Sequence, residues 1–234
     1  MLVAMKKEKD ISDLSKIVNL LLLNAGFSSV LGLFHGKMGV VLFFANYSRF
    51  TKDLLYDDFC GELLDEVCLD MHDNMPIDFE NGFCGIAWGI DYLLKNQFLE
   101  GDSNDILAEI DQKIMERDPL RITDFSFKTG LMGILYYVLC RYSNNESIQT
   151  LDREYLSRLY VATQKVICSG NVEFPFSIDI HIIDNILKYN SKNVFEPSIP
   201  NLFYGDSSVD INDVKNLSIG LEDGLSGIGI QLVI

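Results

Sequence analysis

Positive charge is what this sequence has least of: 19 Lys and Arg stand against 34 Asp and Glu, for a formal net charge of -15. Nucleic-acid binding needs clustered bases that displace counterions from phosphates, so that class is excluded, and a cationic partner is the one electrostatics favours. Cysteine is sparse and odd in number, five with no Cys-x-x-Cys pair, which makes no disulfide framework and fits a reducing cytoplasm. Histidine occurs three times and proline five. Long apolar runs are missing as well. Ile17 to Phe27, interrupted by Asn19 and Asn24, is about half of the roughly 20 residues a membrane span requires. Met1 to Asp10 carries three lysines but runs into Glu8 and Asp10 instead of an apolar signal core, so neither a targeting nor a transmembrane segment is expected.

What the sequence does have is a stretch that returns. Leu33-Phe34-His35-Gly36-Lys37-Met38-Gly39 reappears as Phe79-Glu80-Asn81-Gly82-Phe83-Cys84-Gly85, as Phe127-Lys128-Thr129-Gly130-Leu131-Met132-Gly133, and as Leu221-Glu222-Asp223-Gly224-Leu225-Ser226-Gly227. The leading glycines are separated by 46, 48 and 94 residues, the last twice 47, so one more copy belongs near residue 177. There the chain reads Phe174-Pro175-Phe176-Ser177-Ile178-Asp179, with both glycines lost. A period of this size marks an architecture whose single unit cannot bury its own apolar face. With 48% hydrophobic residues a substantial core is available. The expectation is one domain over 1–234 with five repeats, near 10–47, 52–97, 102–142, 151–190 and 201–234, the fourth decayed.

Within each repeat the periodicity is helical. Ile11, Leu14, Ile17, Val18, Leu21 and Leu22 fall at three- and four-residue steps after a possible cap at Asp10 or Ser12. Lys52 to Met71 carries an apolar side of Leu54, Leu55, Phe59, Leu63, Leu64, Val67 and Cys68. Asp102 with Asp105 opens a helix over Ile106 to Met115, and Leu151 to Cys168 stops at Ser169-Gly170-Asn171. The first three glycine motifs introduce a more apolar partner, Gly39 to Tyr47, Phe83 to Leu94 and Leu131 to Tyr142, whereas the partner in the decayed repeat, Ser177 to Asn190, is interrupted by Asp179, His181, Asp184, Asn185 and Lys188. The fifth repeat has a polar loop, a short helix between Ser207 and Asn216, and an apolar end. Each repeat thus reads as a helical hairpin. The residue before the leading glycine is His35, Asn81, Thr129, Phe176 or Asp223, and three of these are good helix N-caps. Gly36, Gly82, Gly130 and Gly224 then open the inner helices. Gly39, Gly85, Gly133 and Gly227, three residues on, permit close approach of a neighbour at a cost of roughly 1 kcal/mol each in helix propensity.

This pattern resembles the lanthionine synthetase C-like family. The resemblance runs from Leu33 to the C-terminus and implies an all-α fold, an α/α toroid or toroid-like arc of about five helical hairpins. Members of that family that form thioether rings have seven hairpins and hold zinc with two cysteines and a histidine, one Cys-His pair standing directly before a motif glycine. Here only His35-Gly36 matches, with Phe34 in the cysteine's place.

Three groups of residues are candidates for chemistry. His35 and Cys84, near the openings of inner helices in adjacent repeats, would be remnants of a metal or thiol site, with Glu80 or Asp223 as the third ligand; the expectation is no metal and no cofactor. Cys60, Cys68, Cys140 and Cys168 read as core residues and His72 as a helix C-terminal residue. His181 and Asp184, three apart in the decayed repeat, are spaced for general acid/base work, or else mark a wetter helix face. Asp78, Glu80, Asp124, Glu173, Glu222 and Asp223 precede the motifs. They suit a carboxylate pair of the glycosidase kind, an acidic docking surface, or ordinary complementation of helix N-termini. The reading that follows is a cytoplasmic, non-catalytic protein that binds a peptide or protein partner, possibly cationic, in a peptide-modification system, away from nucleic acid and membrane. The alternative is an enzyme, either a peptide-modifying cyclase or a carbohydrate-active toroid.

Overall fold

The computed structural model describes residues 2–142, 150–169, 180–188 and 218–234. Every named element among them is helical, and the one β-bridge is isolated, between Ser218 and Gly224. The helices are α1 (Leu2–Asn24), α2 (Lys37–Thr51), α3 (Leu54–Asp70), α4 (Phe83–Lys95), α5 (Ser103–Met115), α6 (Leu131–Tyr142), α7 (Arg153–Ser169), α8 (Ile180–Ile183, continued by a π-helical turn over Asp184–Lys188) and α9 (Leu225–Val233). Single 3-10 turns follow α1 at Ala25–Phe27 and α5 at Pro119–Arg121. No helix among the described residues is long and apolar enough to cross a membrane. Residues 207–216 lie outside the described residues, as do Phe176 and Glu173.

Several boundaries differ from the sequence reading. Helix α1 begins at Leu2, so Asp10 and Ser12 lie inside it and cap nothing. Its buried face is Leu14, Ile17, Val18 and Leu21, while Ile11 and Leu22 are exposed. In α3 the buried residues are Cys60, Leu63, Leu64 and Val67, and Leu54 and Leu55 point outward. Asp102 does cap α5, its carboxylate accepting from the Asn104 N–H, and Asp53 caps α3 in the same way through the Leu55 N–H.

The chain divides into two compact units, Met1–Asp73 with Phe203–Ile234, and Asn74–Leu202. In the first unit α2 packs on α3, and α9 packs on both α1 and α2. In the second, α4 packs on α5 and α6, and α6 packs on α7. The closest hairpins therefore join each inner helix to the outer helix that follows it, and α9 with α1 repeats that pairing between the last repeat and the first. The first unit is filled by the side chains of α2, among them Val40, Val41, Leu42, Phe43 and Phe44, with Phe44 edge-on to Phe59. In the second unit Phe79, Trp88 and Tyr136 form an aromatic centre.

The glycine motif has one construction throughout. The leading glycine is itself the N-cap of α2, α4 and α9, with no side chain capping the helix, so Asn81 and Asp223 do not have the capping role the sequence suggested. Instead the free N–H groups of the first turn are met by carbonyls of the loop seven residues back. Lys37 and Met38 donate to Val30 and Leu31 at 2.9 and 3.0 Å, and Phe83 and Cys84 to Pro76 and Ile77 at 3.0 and 3.3 Å. Leu131 donates to Asp124 at 2.9 Å, and Leu225 and Ser226 to Ser218 and Ile219 at 2.8 and 3.3 Å. The loop so placed leaves no room for a side chain. A methyl group on Gly36, Gly82, Gly130 or Gly224 would collide with the carbonyl oxygen of Val30, Pro76, Asp124 or Gly220.

The second glycine accepts another repeat. A Cβ on Gly133 would stand 2.6 Å from Cβ of Phe79, and one on Gly39 would stand 3.0 Å from Cγ of Leu221. Phe79 and Leu221 occupy the same place in their motifs, three residues before the leading glycine. The backbone N–H groups beside them match too: Glu80 donates to the Lys128 carbonyl and Glu222 to the Phe34 carbonyl, both at 3.0 Å. The fifth repeat thus docks on the first by the contact that the second makes on the third.

Candidate functional site

In the second unit the loops that open α4 and α6 enclose a cavity of about 310 Å³. Asp78 and Asp124 line it, with Arg117 and Thr129, and Ile77, Ile122 and Ile134 supply apolar wall. The two carboxylates have opposite environments. Asp124 accepts from the Thr129 hydroxyl at 2.6 Å and from the Ser126 N–H at 2.9 Å, and these bonds hold its carboxyl below the usual range. Asp78 is half-buried. Burial raises its carboxyl against the lowering effect of backbone donors, the nearest being the Asn81 N–H at 2.8 Å. Arg117 makes no ion pair among the described residues.

Deeper in the same unit lies a charge network that sequence reasoning missed. Asp111 and Arg141, both with no exposed side chain, meet at 2.9 Å. Tyr137 and Thr150 donate their hydroxyls to Asp111 at 2.5 and 2.6 Å. Asp91, 2% exposed, pairs with Lys95 at 2.6 Å and faces Arg141 at 3.7 Å. Burial raises the Asp91 carboxyl, opposed by Lys95 and Arg141. Two acids and two bases joining α4, α5 and α6 balance in charge, which is how a core tolerates them, while Asp91 Oδ1 and Arg141 Nε are buried without a hydrogen-bond partner among the described residues. The available signal was Asp91 and Arg141 inside otherwise apolar helices.

In the first unit His35 Nε2 stands 3.6 Å from Glu222 Oε2, an ion pair when the histidine is protonated. The acid beside His35 is therefore Glu222. Asp223, anticipated there as an alternative to Glu80, is exposed and sits in the left-handed region at φ 47, which Asp tolerates better than most residues. Lys37, two residues after His35, is buried and reaches Glu66 of α3 at 2.6 Å.

The remaining candidates differ in burial. Cys84 is fully buried, and burial beside Asp78 and Asp111 drives its thiol well above the ordinary value, so it is neither a ready thiolate nor an accessible ligand. Cys60 and Cys140 are buried with thiols pushed up to about 12. Cys68 and Cys168 are exposed, contrary to their reading as core residues. His181 is exposed on α8, and Asp184 accepts from the Gln164 amide at 3.3 Å. Glu80 is half-buried, its N–H committed to Lys128.

The description "Lanthionine synthetase C-like protein" matches residues 30–228, from the first glycine loop into α9. The chain belongs to the lanthionine synthetase C-like family. Its helices and repeated glycine openings accord with the α/α toroid of lanthionine synthetase C-like proteins. No curated protein matches the chain. The zinc donor set of the ring-forming lanthionine synthetase C-like proteins does not fit the described residues. The place of its motif cysteine is held by Phe34, 2% exposed, and Cys84 is sealed in the core.

Proposed function

We propose that this lanthionine synthetase C-like protein is a cytoplasmic, non-catalytic component of a peptide-modification system, which binds a peptide or protein and lacks zinc-dependent cyclase chemistry. The observation that carries this reading is the buried Phe34 directly before His35-Gly36, where ring-forming relatives place a zinc-binding cysteine. A ring closure of that type needs a metal-bound substrate thiolate, and neither Phe34 nor the buried Cys84 thiol offers a ligand for the metal. The acids at the helix openings and the net charge of -15 favour a cationic partner. Two measurements test the proposal. Protein equilibrated with zinc and desalted is expected to retain less than about one tenth of an equivalent by elemental analysis. A fluorescent lysine-rich decapeptide is expected to bind more tightly than its glutamate counterpart, with a salt-dependent affinity. Stoichiometric zinc that is lost in His35→Ala would restore the cyclase reading.

A second reading, a carbohydrate-active enzyme, is favoured by one observation: Asp78 and Asp124 line one cavity with carboxyls shifted in opposite directions, as an acid and base pair would be. Hydrolysis of aryl glycosides that is abolished in Asp78→Asn would support it.

A further inference from the structure

The cavity at the openings of α4 and α6 holds charges of both signs that do not neutralise one another. Asp78 faces it half-buried, and its carboxyl is influenced by backbone donors and by Glu80, with no cation among them. Arg117, an exposed residue, lines the same cavity and makes no ion pair among the described residues. Elsewhere in this unit opposite charges meet, as Arg141 does Asp111 at 2.9 Å and Arg158 does Asp118 at 3.2 Å. An acid and a base that share a cavity without pairing suit a ligand that brings both complements. Asp124 adds a second fixed negative charge, since both its oxygens are held by the Ser126 N–H and the Thr129 hydroxyl.

The remaining wall is apolar. Ile77, Ile122 and Ile134, with Met75 and Pro76, supply aliphatic surface, and no aromatic side chain among the described residues lines the cavity. That suits an aliphatic group and counts against the carbohydrate reading of the same cavity. A volume of about 310 Å³ suits a ligand at the small end of the range for binding sites, roughly 300 to 1,000 Å³.

We infer that this cavity binds a small zwitterion with an aliphatic side chain, a free amino acid or a dipeptide, its ammonium toward Asp78 and Asp124 and its carboxylate toward Arg117. The inference goes beyond the peptide-binding reading and does not depend on it, because the cavity would serve as a small-molecule site whether or not a macromolecule docks elsewhere.

The test is a calorimetric titration of the full chain with leucine, leucyl-leucine, N-acetylleucine and leucinamide. Leucine or leucyl-leucine is expected to saturate a single site, and whichever binds more tightly identifies the source as free amino acid or peptide. N-acetylleucine, without the ammonium, and leucinamide, without the carboxylate, are expected to bind at least tenfold more weakly. Asp78→Asn keeps an acceptor for the Asn81 N–H but removes the charge, and Arg117→Gln removes the cation; each is expected to weaken the zwitterion at least tenfold while leaving far-UV circular dichroism unchanged. Absence of saturable binding by both zwitterions would overturn the inference. So would N-acetylleucine or leucinamide binding as tightly as leucine, or two folded variants that bind as the parent does.

Discussion

The glycines of the motif differ from other glycines in what surrounds them, and substitution separates the two kinds. A methyl group on Gly130 would strike the Asp124 carbonyl, part of a backbone loop that cannot move aside. Gly130→Ala should therefore destabilise the fold by about 2 kcal/mol or more, as overpacking does. Gly61, within α3, has nothing within 4 Å of an added Cβ, so Gly61→Ala should stabilise by about 0.5 to 1 kcal/mol through helix propensity. Urea denaturation of the two variants checks both signs. At Asp78 the folded pKa is raised by burial, so ionisation opposes folding. The favourable contribution is present below the unfolded value near 3.9 and is lost as pH rises through the folded one. Asp78→Asn should raise the Tm at pH 7, and the gain should disappear below about pH 3. Asp124 behaves in the opposite sense, its stabilisation being present at neutral pH and lost on acidification. The recurring glycines were legible from their spacing alone, and so was their place at helix openings. Their neighbours were misread because Asn, Thr and Asp are good caps in isolation, whereas a loop carbonyl seven residues back had already taken the N–H.

At the scale of elements, periodicity and an end signal located α5 with its Asp102 cap, where one face is wet and the other buried, while α6, buried from Leu131 to Arg141, was located by its glycine opening and apolar run. The pairing of polar groups inside apolar helices was not legible, because a sequence does not say which helix faces which. Asp91, Asp111 and Arg141 belong to three helices and make sense only together. Arg141→Met would leave Asp111 buried beside Asp91 without its guanidinium, and should cost about 3 to 5 kcal/mol. Adding Asp111→Asn to it should recover part of that loss, a coupling that a double-mutant cycle measures. The cavity was hidden for a similar reason: its lining comes from two loops and the end of the α5 region, 75–78, 117, 122–124 and 129–130, with Ile134 of α6.

For the molecule as a whole, the two ends of the sequence share one compact unit, in which α9 lies on α1 and α2. Gly229 of α9 sits against the Phe43 ring and Ile17, and Leu221 is fully buried over Gly39. Leu221→Ala should cost about 2 to 5 kcal/mol. It should also speed amide exchange in α1 and α2, far away in sequence, because the three helices open together. Exchange confined to α9 would contradict that. The junction between repeats is made by backbone atoms, Glu80 N–H to the Lys128 carbonyl and Glu222 N–H to the Phe34 carbonyl. Three kinds of side chain, a phenylalanine, two glutamates and a lysine, stand at the same motif position without disturbing the join. Assembly and display are thereby uncoupled at these positions: natural variation or an engineer can change the chemistry shown at each helix opening while the scaffold's joinery stays as it was.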